Sequence, residues 1–176
     1  MTLPRLRDLP RLLRHLLASF LIVIAVGYTL GAFFVDHTTD TRPSGIAERF
    51  LGTEGVGIDP MAMPPERDIQ YEKSPAELLN ITHTHVISLA LVFLAVGGIF
   101  AFASGIPGWL RGFLVLEPFL SIALTFGGMW LLRYHSPSWS ILIAVSGGLM
   151  SVCFYAMVLV SLWQLLRGRL HREQHH

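Results

Sequence analysis

Charge is scarce in this chain of 176 residues. Asp, Glu, Lys and Arg make up 14% of it, against roughly 25% in globular domains. With apolar residues at 52%, that shortfall excludes a typical soluble enzyme and a disordered chain. Cysteine is almost missing. Cys153 alone excludes a disulfide framework and any cysteine-based zinc or iron–sulfur site within the chain. Basic clusters interleaved with aromatics are missing too, and the formal net charge is only +1, which argues against nucleic-acid binding. None of the sequences G-x-S-x-G, H-E-x-x-H or G-x-x-x-x-G-K-S/T occurs. No repeat relates the two halves, and the interrupted apolar segments of transporters are not seen.

Four long apolar runs are present, at residues 16–35, 86–103, 113–132 and 139–166. A helix needs about 20 apolar residues to cross the hydrocarbon core. No barrel-like alternation occurs, so a bundle of helices is the spanning solution. The expectation is an all-α bundle of four transmembrane helices. Its parts are a basic N-terminus (1–15), a first span (16–35), a long loop (36–74) and a second helix (75–104). A short link (105–112), a third span (113–133), a turn (134–138), a fourth span (139–166) and a tail (167–176) complete it.

Charge sets the expected orientation. Arg5, Arg7, Arg11 and Arg14 precede the first span, Arg111 lies in the short link, and Arg167, Arg169 and Arg172 follow the fourth. By the positive-inside rule these segments are cytoplasmic. Residues 36–77 hold nine acids and four bases and are expected outside. Both termini then lie in the cytoplasm. The first span has the basic start of a signal peptide. Its apolar core exceeds the usual stretch of about 7–15 residues and no A-x-A site follows, so it is expected to stay as an anchor. Trp109 and Trp163 at one surface, and Trp130, Tyr134 and Trp139 at the other, occupy belt positions.

The loop contains Pro43, Pro60, Pro64, Pro65 and Pro75, too many for a sheet or a long helix. One short helix is expected at 44–52, capped by Ser44 and stopped by Gly52, with Ile46 and Phe50 on its apolar face. Such a loop either meets a partner surface or caps its own bundle. Ser74-Pro75-Ala76-Glu77 is a capping box with proline at the first helical position. It starts the second helix, which is expected to run to Ser104 with its first turns at or above the outer surface.

His83 and His85 lie on that part of the second helix, and His135 follows the third span at similar depth. Residues two apart on a helix point about 200° apart, so His83 and His85 cannot chelate one ion, and no metal site is expected. A b-type haem needs one histidine from each of two helices. His83 or His85 could pair with His135, with Arg133 on a propionate and Trp130 at the ring edge. Gly27, Gly31, Gly127, Gly128, Gly147 and Gly148 form a layer of small residues that either lets helices approach or leaves room for a flat cofactor. The alternative is that these histidines only meet backbone or water. His15, His171, His175 and His176 are terminal and carry no assignment. Glu117 is the sole carboxylate inside a span. With a third helix starting near 113, it reads first as a helix-start residue on the positive end of the dipole, with a proton relay as the alternative.

Gly45-Ile46-Ala-Glu-Arg-Phe50-Leu-Gly52, then Glu77-Leu-Leu-Asn-Ile-Thr-His83-Thr-His85, then Arg133-Tyr134 and Ser136-Pro137 resemble a group of small bacterial four-helix membrane proteins. These have no characterised function, and some are misleadingly labelled as elongation factors. Many of them carry a further histidine where this chain has Gly98. The resemblance implies the four-helix fold and interest in His83 and His85, but no activity. The function expected is a non-catalytic subunit of a larger respiratory or photosynthetic membrane complex, docking through its loop and spans among lipids, with pigments or quinone nearby. The alternative is a small b-type cytochrome in electron transport.

Overall fold

The computed structural model describes residues 5–63 and 68–167. Among them, five α-helices follow in order: α1 (Arg11–Thr39), α2 (Pro43–Leu51), α3 (Pro75–Phe100), α4 (Gly108–Tyr134) and α5 (Ser140–Arg167). No strand occurs among the described residues. Four of the helices, all but α2, are long and apolar enough to cross a membrane.

The helices exceed the apolar runs at several ends because local caps, rather than hydropathy, stop them. Pro107 is the N-cap of α4, six residues before the expected start of the third span. The second helix ends at Phe100 instead of Ser104. There the side chain of Gln164 takes over the backbone. Its Oε1 accepts from the Ser104 N–H at 2.9 Å and its Nε2 donates to the Ser104 carbonyl at 2.8 Å. The capping box of α3 forms as expected, with the Glu77 N–H on Ser74 Oγ (3.2 Å) and the Ser74 N–H on Glu77 Oε2 (2.8 Å).

α4 and α5 run antiparallel as the most extensive pair. Thr125 and Ser146 share a hydrogen bond of 2.7 Å across their seam. α1 joins through Tyr28, which stacks on Phe154 (centroids 3.9 Å apart) and bonds Ser151 Oγ at 3.0 Å. Thr29 adds a bond of 2.8 Å to the Tyr155 hydroxyl. Phe93 of α3 meets both Tyr28 and Phe154 edge-on. Lipid tails are as apolar as these side chains, so packing and polar contacts of this kind, rather than water exclusion, hold spanning helices together.

The charges separate to the two ends of the bundle. At one end, Arg14 donates through Nε and Nη2 to the Leu165 carbonyl (2.9 and 2.6 Å). Arg111 caps the Ala103 carbonyl (2.7 Å), and fully buried Leu6 ties its N–H to Phe102. Arg5, Arg7, Arg11 and Arg167 belong to the same end, called basic below. The opposite, acidic end carries α2 and the long loop. Arg169 and Arg172 lie outside the described residues.

The loop folds back on its own bundle. Ile46 and Ala47 of α2 are buried with Leu132, and Phe50, Ile143 and Ala144 pack around them. A Cβ at Gly45 would lie 2.0 Å from the Thr39 carbonyl oxygen, so only glycine lets α2 cross the end of α1. Gly52, at φ +81, turns the chain where a Cβ would meet the Glu72 nitrogen at 2.7 Å. Thr53, fully buried, donates its N–H to the Gln70 carbonyl, and Lys73 donates to Phe50. The N-cap of α2 is Arg42, followed by Pro43, rather than Ser44. Proline at the first helical position lacks only an N–H that the helix would leave unpaired, so the cap moves two residues earlier. Pro64 and Pro65 lie outside the described residues.

Candidate functional site

The side chains expected to surround a haem all sit at the acidic end. Thr82, on α3, accepts from Trp130 Nε1 at 2.9 Å, which joins α3 to α4 just below them. His83 and His85 are both exposed on α3. His85 places Nδ1 2.9 Å from the Ile81 carbonyl of its own helix, and its ring centroid lies 5.8 Å from that of Phe126 on α4. His135 caps the end of α4, is exposed, and donates its N–H to Leu131. Arg133 is engaged: its Nε donates to the Lys73 carbonyl at 3.1 Å and its Nη2 pairs with Glu72. It also lies over the Tyr134 ring, at 5.2 Å from the centroid, and Trp130 stacks on the same tyrosine. The guanidinium considered for a propionate thus anchors the end of the loop to α4. Among the described residues, no group of three His, Cys, Asp or Glu could hold a metal ion.

Of the small-residue layer, Gly128 alone is filled by a neighbour. A Cβ there would lie 3.2 Å from Ile143 Cγ1 and 3.4 Å from Leu142 Cδ2. At Gly27, Gly31, Gly127, Gly147 and Gly148 a Cβ would meet nothing within 4 Å. The first two lie on the exposed side of α1, one turn apart.

A second polar locus lies deeper. Glu117 is 7% exposed. Because α4 begins at Gly108, Glu117 stands in the third turn and not at the helix start. Nine residues at about 1.5 Å each put it about 14 Å along the axis, beyond the first-turn reach of the helix dipole. Its Oε1 accepts from the Ser121 hydroxyl one turn further on, and its Oε2 has no hydrogen-bond partner. Cys153, itself fully buried, faces this carboxyl from α5. Pro118 follows inside the helix, so the Leu114 carbonyl has no N–H four residues on to receive. The signal in the sequence was Ile106-Pro107-Gly108, whose proline starts the helix early; apolarity alone hid it.

Four apolar spanning helices around a polar-stitched core define a multi-pass integral membrane protein. A family model for a transmembrane helical domain, Aq_1264_TM, matches residues 40–173, and the chain belongs to that family. The matched segment starts where α1 has ended. No curated protein and no solved structure matches the chain.

Proposed function

We propose that this protein is a non-catalytic subunit of a larger bioenergetic complex in the bacterial inner membrane. The observation that carries it is the open face of α1. Only 11% of the most apolar stretch of α1 is buried, against 44% in α4. Val23, Val26, Leu30 and Phe34 are more than half exposed beside Gly27 and Gly31. A pair of glycines four apart lets another helix approach closely, and among the described residues no helix uses them. In this reading the basic end faces the cytoplasm, following the positive-inside rule, and the acidic loop faces outward toward the partner. The bioenergetic assignment itself leans on the imidazoles at that outer end.

The test is migration of the native protein in mild detergent, with Gly27→Leu and Gly31→Leu beside it. Co-migration with a larger assembly, lost in the variants while their helix content and monomer stability persist, is expected. Migration of the native protein as a lone monomer overturns the reading.

One observation favours a second reading, a b-type haem on His85 with His135. Histidine ligands commonly place their second ring nitrogen on a backbone carbonyl, and the Ile81 carbonyl would hold His85 Nδ1 so, with Nε2 left for iron. A Soret band in purified protein, lost in His85→Ala or His135→Ala, is expected; a colourless folded preparation removes haem from consideration.

A further inference from the structure

Two observations about α4 combine. The carboxyl of Glu117 is more than nine-tenths buried, and one of its oxygens is bare. Its depth matters as well. A helix of 27 residues is about 40 Å long, and centred on a hydrocarbon core of about 30 Å it places the Glu117 Cα about 8 Å inside the apolar layer. The bond to Ser121, one turn deeper, keeps the carboxyl from turning back toward the basic end.

We propose that Glu117 is a proton-binding site within the membrane. The new O–H bond forms on Oε2, which has no partner, while Oε1 stays on the Ser121 hydroxyl. The proton comes from hydronium in the water at one end of the bundle, whose O–H bond breaks as the new one forms and which is left as water. A buried carboxylate is costly unless something neutralises it, and among the described residues no Lys, Arg or His side chain bonds this one. α5 presents the Cys153 thiol, and α1 presents the Tyr28 phenol. α3 carries no titratable side chain from Val86 to Phe100. On α4 itself the nearest base is Arg111, held on the Ala103 carbonyl. A metal cation is a poorer occupant, because hard cations demand several oxygen ligands and only the Ser121 hydroxyl stands beside the carboxylate.

Polar atoms lie along the α4–α5 pair in both directions. Toward the acidic end, Thr125 and Ser146 follow one turn beyond Ser121. Toward the basic end lie the Ser161 hydroxyl and the Arg111 Nε, which with Glu117 Oε2 are the buried side-chain atoms lacking a partner among the described residues. Orphaned polar atoms of this kind are where internal water binds, and such water is a means of proton entry. The proposal stands independently of the subunit reading.

The experiment is carbodiimide labelling of the full-length protein in lipid nanodiscs, with the modified residue located by peptide mass mapping. Dicyclohexylcarbodiimide partitions into the apolar layer and reacts with the acid form of a carboxyl. Glu117 is expected to carry the label, with its extent falling as pH rises, while a water-soluble carbodiimide modifies loop acids instead. Ser121→Ala, which removes the one hydrogen bond to the carboxyl, is expected to move the pH at which labelling is half lost. Absence of label on Glu117 at every pH, or labelling that does not respond to pH while the protein stays folded, overturns the proposal. Wild-type protein alone decides between these outcomes, so the test does not depend on whether Glu117→Gln folds.

Discussion

Gly127 and Gly128 are neighbours on α4 with opposite surroundings, and replacing each by leucine isolates the role of close packing in this bundle. At Gly128 the first added carbon already lies 3.2 Å from Ile143 and 3.4 Å from Leu142. Three more carbons must then enter the α4–α5 seam, where Thr125 and Ser146 bond at 2.7 Å a turn away. Overpacking of this kind costs about 1–3 kcal/mol. At Gly127 the added carbons meet open space. Both substitutions gain the same helix propensity, about 0.8 kcal/mol, so that term cancels in the comparison. The two variants are expected to differ by about 1–3 kcal/mol, with Gly128→Leu the less stable. At about 2–4 °C per kcal/mol for a chain of this size, the melting temperatures should separate by about 2–12 °C. Thermal unfolding in one detergent, followed by circular dichroism of the helix band, measures this. Equal melting temperatures, or a lower one for Gly127→Leu, would refute the assignment of Gly128 to the packed seam.

Two further substitutions probe the polar stitching. Arg14→Met keeps the aliphatic stem but removes both donors to the Leu165 carbonyl; hydrogen bonds to charged groups contribute about 1.5–3 kcal/mol, and a loss of that size in thermal unfolding is expected, whereas an unchanged melting temperature would show that α1 is held to α5 by other contacts. Trp130→Phe removes the donor to Thr82; a double-mutant cycle with Thr82→Val should give a coupling of about 0.6 kcal/mol, the average for such bonds between membrane helices, and zero coupling would count against a formed bond.

The acidic end presents two kinds of polar group with different prospects. Arg133, Glu72 and Lys73 are consumed in holding the loop to α4, and Trp130 and Thr82 hold α3 to α4. His83, His85 and His135 remain exposed. The loop already has a surface to cover, formed by α4 and α5. Docking through the loop would involve its outward side chains, Met61, Ile69 and Tyr71, which are exposed.

Composition and hydropathy alone determined that this chain threads a membrane with four helices, because a span must satisfy its backbone internally and be about 20 apolar residues long. The start of α3 was equally legible, since a capping box is made of residues within one turn of each other. Partition of the arginines and acids between the two ends was readable for the same reason: it follows from the order of spans. Tertiary structure decided the rest. Whether a glycine packs or faces outward depends on which helix lies beside it, and Gly27 and Gly128 are identical in the sequence. The depth of Glu117 depends on where α4 begins, which Pro107 sets ahead of the apolar run. That its second oxygen finds no partner is a matter of which side chains of α1 and α5 arrive there, and no local pattern along α4 encodes them.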